Sequence, residues 1–163
     1  MPPKPTDRPD GALMERAVQK ALANIRETSG GPFAALITNG DRVVAEGVNA
    51  VVPENDPTAH AEVQAIRSAC AALKTVSLKG HVLYSTCLPC PMCLAAAHWA
   101  GIERIYYALS SEDAERMGFK DADLYEMLID PQAAQSPTPV LMATPDAQEI
   151  VTTWLANPDR PMY

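Results

Sequence analysis

The sequence predicts an α/β domain in which helices cover both faces of a mixed, about five-stranded sheet, giving a three-layer α/β/α arrangement. Apolar residues at helical spacing over 11–28 predict an opening amphipathic helix. Two apolar runs then flank Asn39-Gly40-Asp41, a strong hairpin signal. Strand and helix patterns alternate after the hairpin, which is typical of a sheet that mixes antiparallel and parallel pairs.

Each element follows from a local signal. Gly30 and Gly31 end the first helix, and the hairpin strands are predicted at 33–38 and 42–49. Asp56 is the predicted N-cap of a helix that begins at Pro57 and runs to about Leu73. The later segments are predicted as a strand at 81–86, a helix at 91–100, a strand at 104–109, short helices at 111–117 and 121–128, a strand at 139–144 and a helix at 145–157.

Length and composition indicate one domain and exclude several classes of protein. With 163 residues, of which 47% are hydrophobic, the chain supports one packed domain over 10–163, preceded by a flexible arm at 1–9. The net charge is −7 and no basic stripe is present, which argues against nucleic acid as a partner. No signal peptide pattern and no run of membrane-spanning length are found, so we expect a cytoplasmic protein whose four cysteines are reduced.

Two short stretches together predict a catalytic zinc site. His60 and Glu62 stand near the start of one predicted helix, and Cys90 and Cys93 near the start of another. Cys-x-x-Cys with a distant histidine is a zinc-ligand pattern, and three protein ligands leave a fourth position for water or hydroxide. Side chains lean toward the N-terminus of a helix, so two helix starts are expected to converge on one ion per subunit. Glu62 would then move a proton beside the metal. His-x-Glu followed by Pro-Cys-x-x-Cys is the known signature of zinc deaminases.

Other interpretations of the cysteines are structural zinc and an iron–sulfur cluster. Cys87, Cys90 and Cys93 form a Cys-x-x-Cys-x-x-Cys run, but a cluster needs a fourth cysteine. The remaining one, Cys70, lies in the middle of a predicted helix. We therefore expect Cys70 and Cys87 to be core residues.

At these residues the sequence resembles the cytidine-deaminase-like superfamily and, within it, the guanine deaminases of bacterial type. The resemblance is carried in order over about 28–128 by "GGPFAALI", "AEGVN", "NDPTAHAEVQAIR", "CLPCPMC", "HWA", "YYA" and "GFKDADLY", and by the final tyrosine. One position departs from that family. Leu88 stands where these enzymes usually have glutamate, next to the Pro-Cys of the zinc motif.

The resemblance implies a role for each site residue. His60, Cys90 and Cys93 bind zinc, and Glu62 is the proton shuttle. Asn49 hydrogen-bonds the purine, Asp121 is a second carboxylate near the exocyclic amine, and Tyr163 helps to close the site. The ring pocket and substrate contacts include Phe33, Ala61 and Trp99. It also implies a homodimer in which the C-terminal segment, 145–163, closes the partner's site.

Each of these residues also has a purely structural explanation. Asn49 could be a turn residue, and Phe33 and Trp99 could be plain core. Asp121 could be the N-cap of the helix that follows it, and Tyr163 could be a loose chain end.

The function that the resemblance implies is hydrolytic deamination of a purine base, guanine to xanthine plus ammonia. Guanosine, cytosine or an aminotriazine are alternative substrates, partly because of Leu88. A tRNA adenosine deaminase fits the acidic composition less well. A zinc module that binds without catalysis is the alternative from a different class of protein.

Overall fold

The computed structural model describes residues 9–27, 30–120, 122–129, 142 and 147–159. The chain divides into a first unit that ends at Tyr125 and a second that begins at Glu126. The elements are α1 (Gly11–Glu27), β1 (Ala34–Asn39), β2 (Arg42–Val48), α2 (Val51–Glu54), α3 (Ala61–Leu73), β3 (Val82–Cys87), α4 (Pro91–Trp99), β4 (Arg104–Leu109), α5 (Ser111–Arg116), α6 (Ala122–Ile129) and α7 (Ala147–Ala156).

The sheet of the first unit has four strands in the order β2-β1-β3-β4. β1 pairs antiparallel with both β2 and β3, while β3 and β4 are parallel. The predicted mixed sheet is thus confirmed, with four strands among the described residues in place of about five. The fifth predicted strand, 139–144, lies outside those residues except for Met142, which is in no strand.

The hairpin forms where the Asn-Gly pattern predicts it. Asn39 pairs with Arg42, so the loop has two residues, and Gly40 adopts a φ of 62° that favours glycine. A register shift between Ile37 and Thr38 marks a bulge in the same pair of strands.

Side chains on β1 and β3 alternate between two cores, as the two-residue period of a strand requires. Leu36, Val82 and Tyr84 pack against Leu13 and Ala17 of α1 on one face. The opposite face packs against α3 and α4 through Ala35, Ile37, Leu83, Ala61, Ala65, Ala69 and Ala97. Helices therefore lie on both sides of the sheet, which confirms the three-layer arrangement. The alanine-lined face lets α3 lie close to the strands.

The start of α3 differs from the prediction. Asp56 is not its N-cap, because the Asp56 carboxylate accepts hydrogen bonds from the Thr58 backbone N–H and hydroxyl, both at 2.7 Å. That local turn follows the short α2, which the sequence pattern did not predict. The helix begins only at Ala61, and His60 is the N-cap. Asp and Asn side chains make such turns as readily as helix caps, which is why the pattern was misread.

The remaining predictions concern the chain ends and membranes. The predicted arm, 1–9, lies outside the described residues except for Pro9. The second unit contributes α7, whose Ile150, Trp154 and Leu155 side chains are exposed. Among the described residues, no helix combines the length and the apolar character that crossing a bilayer demands.

Candidate active site

The first half of the site is the beginning of α3. His60 occupies the N-cap position in an extended conformation, with φ −69° and ψ 153°, and Glu62 is the second residue of the helix. The His60 side chain makes no capping hydrogen bond. Both side chains can therefore reach past the end of the helix, although residues two apart point to different sides of its body.

The second half is the beginning of α4, which follows β3 in the parallel part of the sheet. Cys90 is the N-cap with φ −65° and ψ 168°, and Pro91 suits the first helical position because its missing N–H needs no partner. Cys93 lies one turn later, and neither helix start has a side-chain cap. Serine or aspartate at an N-cap position would stabilise the helix. Here the two N-cap positions are occupied instead by the predicted metal ligands His60 and Cys90.

The three predicted ligands lie together with the spacing that zinc requires. His60 Nδ1 is 3.6 Å from Cys90 Sγ and 3.6 Å from Cys93 Sγ, and the two sulfurs are 3.6 Å apart. A tetrahedral zinc with Zn–S bonds of about 2.3 Å and a Zn–N bond of about 2.0 Å separates two sulfurs by about 3.8 Å and sulfur from nitrogen by about 3.6 Å. The donor set and its geometry therefore fit zinc, and the ligands leave one tetrahedral position for a fourth ligand.

The two thiols differ in acidity. The hydrogen bond between the Cys90 and Cys93 sulfurs lowers the pKa of Cys90 to about 4 against the effect of burial, with further help from His60. The same pairing, together with burial and the nearby Glu62 carboxylate, raises the pKa of Cys93. The lowered pKa favours the thiolate form of Cys90, which is the form that binds zinc.

Glu62 is a buried carboxyl beside the ligands without being one of them. It is 6% exposed, accepts a hydrogen bond from Ser85 Oγ at 2.9 Å, and lies 3.4 Å from Cys93 Sγ. Burial raises the pKa of Glu62, and its hydrogen bonds, including those from Ser85 and Cys93, oppose that shift only in part. A carboxyl with a raised pKa is suited to accept a proton and give it back near neutral pH.

Asn49 lies at the end of β2 and presents its amide to the same pocket. Its Oδ1 accepts hydrogen bonds from the backbone N–H groups of Gly31 (3.2 Å) and Val51 (3.4 Å). Because an N–H donor can bond only to the oxygen, these contacts fix the orientation of the amide. The Asn49 Nδ2 group has no protein partner within the part of the chain that the structure describes, so it is left to donate to a ligand.

These groups line one pocket of about 360 Å³ in the first unit. Six of the predicted site residues are among its walls: Phe33, Asn49, His60, Ala61, Glu62 and Cys90. The other lining residues are mostly small or apolar: Gly30, Gly31, Val51, Val52, Pro57, Cys87, Leu88 and Phe119. The pocket is thus an apolar slot with a few polar groups at the metal end, which is the usual composition of a small-molecule site.

One predicted pocket residue, Trp99, lies away from this pocket. Trp99 is the last residue of α4, about 12 Å along the axis from Pro91, and its side chain is 71% exposed. The ring therefore does not line the pocket of its own chain, because the helix that begins at the metal ligands carries it away. Asp121 and Tyr163 lie outside the described residues.

Sequence reasoning missed Phe119 and Ser85. The Phe119 ring meets Phe33 edge to face, with centroids 4.8 Å apart, and closes one side of the pocket. It belongs to the quoted "GFKDADLY" motif, so the signal was present but was assigned only to Asp121. Ser85 carried no signal of its own, because a serine in a buried strand has many structural explanations.

Comparison with known proteins gives the family. The model of the cytidine and deoxycytidylate deaminase zinc-binding region matches residues 7–109. A guanine deaminase of Bacillus subtilis is 43% identical over 132 residues, covering 81% of this chain and 84% of the relative. The X-ray structure of guanine deaminase from Bacillus subtilis has a TM-score of 0.90 at 35% identity, covering 96% of this chain and 99% of that one.

A second solved structure, of guanine deaminase from Nitrosomonas europaea, has a TM-score of 0.66 at 32% identity, covering 74% of this chain and 70% of that one. The predicted resemblance to guanine deaminases is confirmed. The starts of α3 and α4 place a histidine and two cysteines at the spacing of zinc ligands, beside a buried glutamate. Together with the match of the family model, this site shows that the chain belongs to the cytidine and deoxycytidylate deaminase zinc-binding family.

Proposed function

We propose that the chain hydrolyses guanine to xanthine and ammonia. The observation that carries this proposal is the 43% identity with a guanine deaminase over 81% of the chain. The small, apolar pocket supports a free base as the substrate.

In the proposed reaction the chain's own residues bind the base and move the protons. A zinc ion held by His60, Cys90 and Cys93 would supply the nucleophile, because it lowers the pKa of a water in its open position to about 7. Glu62 accepts the proton that the nucleophile loses and later gives it to the exocyclic nitrogen, which leaves as ammonia. Its position, 3.4 Å from a ligand sulfur yet bonded to Ser85, suits that shuttle.

The pocket also supports a particular chemistry of recognition. Asn49 Nδ2 is a donor with no protein partner among the described residues, so the substrate needs an acceptor at that point. Guanine and adenine both offer ring nitrogens as acceptors, but at C6 guanine has a carbonyl oxygen, an acceptor, where adenine has an amine, a donor. A buried donor that meets no acceptor is costly, which favours the base that supplies one.

The roles of Asp121, Tyr163 and Trp99 belong to this proposal and rest on the family resemblance. Asp121 assists the departure of ammonia, and Tyr163 closes the pocket. Trp99, exposed in one chain, would reach a substrate only through a second copy.

A homodimer is the proposed assembly. α4 is apolar on most of its surface, yet Ala95 and Trp99 are exposed in one chain, and an all-round apolar helix is normally buried. The apolar residues Ile150, Val151, Trp154 and Leu155 are exposed on α7. We propose that a second copy covers these surfaces and that 145–163 closes the partner's site.

We also propose that residues 10–163 form one domain and that the protein is located in the cytoplasm.

The test is ammonia release by the zinc-loaded protein with guanine, guanosine, cytosine, adenine and an aminotriazine offered in parallel. We expect guanine to be turned over far above the rest. Ammonia release mainly from cytosine or the aminotriazine would mean that the chain prefers those rings as substrates. It would also implicate Leu88, which lines the pocket, in that preference. Release from guanosine would show that the pocket admits a ribose. Zinc binding without release from any of them would favour the non-catalytic module.

A further inference from the structure

We propose that Asn24, on α1, is a positioning residue for the substrate-binding face of the pocket. This inference rests on the proposed function, because it concerns how Asn49 is held for the base. Asn24 is 5% exposed near the end of an otherwise amphipathic helix, where an apolar residue would be the ordinary choice. Its side chain needs partners there, since a buried amide without them is destabilising.

The partners of Asn24 are two backbone carbonyls of the pocket wall. Its Nδ2 donates to the Gly31 carbonyl at 2.8 Å and to the Asn49 carbonyl at 2.9 Å. An amide nitrogen carries two hydrogens, so both are used. The single side chain of Asn24 thereby joins the loop before β1 to the end of β2.

The same two segments are joined again by Asn49. Its backbone N–H donates to the Phe33 carbonyl at 3.0 Å, and its Oδ1 accepts from the Gly31 backbone N–H at 3.2 Å. Asn49 is thus held at its N–H, its carbonyl and its side-chain oxygen. Asn24 donates the hydrogen bond to the Asn49 carbonyl. Its other bond, to the Gly31 carbonyl, fixes the residue whose backbone N–H orients the Asn49 amide.

Gly30 shows how closely this arrangement is packed. A Cβ atom placed on it would lie 2.4 Å from Asn24 Nδ2 and 2.4 Å from the Asn49 carbonyl oxygen. No other residue type fits at that point, so the loop approaches the Asn24 amide directly. The side chain of Asn24 therefore lies directly behind Gly31 and Asn49, the lining residues whose positions set where the Asn49 Nδ2 group points.

The chemistry of the contact defines the variants. Asn24→Asp keeps the shape but turns an oxygen toward two carbonyl oxygens, and Asn24→Ala removes both donors. Leu13→Ala is the matched control, because Leu13 is buried on the same helix but packs in the cluster of Leu36, Val82 and Tyr84, away from the pocket. It destabilises α1 without touching the pocket wall.

We expect both Asn24 variants to lower kcat/KM for guanine by about 10- to 100-fold, mainly through KM, since small misplacements of a binding group have effects of that size. Zinc content should stay equal to that of the wild type. The Leu13→Ala protein, compared at an equal margin below its Tm, should keep the wild-type KM. Equal effects of Asn24→Ala and Leu13→Ala on KM would overturn the proposal.

A double-mutant cycle with Asn49→Ala tests whether Asn24 acts through Asn49. We expect Asn24→Ala to lower kcat/KM much less in the Asn49→Ala background than in the wild type. Equal losses in the two backgrounds would contradict the proposal.

Hydrogen exchange of the Gly31 backbone N–H gives a readout that needs no substrate. It should accelerate in Asn24→Ala and not in Leu13→Ala, because the first variant loosens the bond to Asn49 Oδ1. A wild type that does not turn over guanine would refute the proposed function while leaving this readout intact. Unchanged exchange at Gly31 in a folded Asn24→Ala protein would refute the positioning role itself.

Discussion

The carboxyl of Glu62 is buried beside the metal ligands, and its replacement is the most direct test of its role. Glu62→Gln keeps the size of the side chain and can still accept a hydrogen bond from Ser85, but it no longer takes up a proton. We expect zinc content and Tm near the wild-type values and a fall in kcat of about 10²- to 10⁴-fold. Turnover at the wild-type rate in the zinc-loaded variant would show that the proton moves by another route.

Ser85 holds that carboxyl in place from the neighbouring strand β3. Ser85→Ala removes the donor to Glu62 Oε1, a charge-assisted bond of 2.9 Å when the carboxyl is ionised. Such bonds contribute about 1.5–3 kcal/mol, so we expect kcat to fall about 10- to 100-fold with KM little changed.

Thr38→Val is the matched control for Ser85→Ala. Thr38 is a buried hydroxyl on the adjacent strand, and its Oγ1 has no hydrogen-bond partner among the residues that the structure describes. Its loss should leave kcat unchanged. Similar kcat losses in both variants would mean that Ser85 contributes only to the packing of the sheet.

At the scale of elements, the placement of the site depends on how closely α3 lies on β2. Gly47 makes this possible, since a Cβ there would lie 2.2 Å from the Ala61 carbonyl oxygen and 2.5 Å from the Ala65 nitrogen. Gly47→Ala therefore forces the first turn of α3 outward, together with His60 and Glu62. We expect a loss of about 1–3 kcal/mol in the free energy of unfolding, weaker zinc binding and lower kcat.

The same substitution at Gly11 is the control for Gly47→Ala. Nothing lies within 4 Å of a Cβ placed on Gly11, and alanine favours the helix. Urea melts and zinc titrations should show that Gly11→Ala is neutral or slightly stabilising. Zinc affinity and stability of Gly47→Ala at the wild-type values would contradict the close-packing argument.

A second link between elements is electrostatic. Glu46 on β2 forms ion pairs with Arg16 at 2.7 Å and Lys20 at 2.6 Å, both on α1. Partial burial alone would raise the pKa of Glu46, but its bonds to Lys20 and Arg16 hold that pKa below its ordinary value. The stabilisation is therefore present above the unfolded-state pKa of about 4.3 and is lost as pH falls through the lower folded-state pKa.

Glu46→Gln should accordingly lower stability at pH 7, by at most about 1 kcal/mol because Arg16 is exposed and Lys20 and Glu46 are only partly buried. Thermal melts at descending pH should show the difference from the wild type vanishing once Glu46 is protonated. Glu103→Gln is the control, since Glu103 is exposed and has no ion pair within the described ranges; its Tm should match the wild type at every pH. A constant difference for Glu46→Gln down to pH 3 would contradict the assignment.

At the scale of the molecule, zinc should connect folding to activity. The ligands come from two helices and are 30 and 33 residues apart in the chain, so the unfolded chain lacks the assembled site. Zinc at about 1,000 times its dissociation constant adds about 4 kcal/mol to stability, which corresponds to a Tm higher by on the order of 10 °C.

We expect a chelator to lower Tm by that amount and to abolish ammonia release, and added zinc to restore both. His60→Ala should show a low Tm that the chelator does not change. A chelator that removes activity but leaves Tm unaltered would mean that the metal contributes nothing to folding.

Much of this organisation could be predicted from the sequence, and the exceptions have physical causes. Periodicity located the strands and the longer helices of the first unit, but not the short α2, and residue spacing pointed to His60, Glu62, Cys90 and Cys93. The start of α3 was misplaced because Asp56 caps a turn, while the residue at the true N-cap is a metal ligand and carries no capping signal. The surface that Trp99 faces could not be predicted, because an apolar residue in a helix pattern does not reveal which surface it faces.

Leu88 lies in the short link between β3 and α4, outside both elements, and contributes a wall of the pocket without binding metal. Substitutions there change the shape and polarity that a substrate meets while the ligands stay anchored on α3 and α4. Gly47 has no such freedom, because a larger side chain there displaces the first turn of α3. The fold thus keeps a position that shapes the substrate's surroundings apart from the frame that holds the metal ligands, so that the two can change independently of each other.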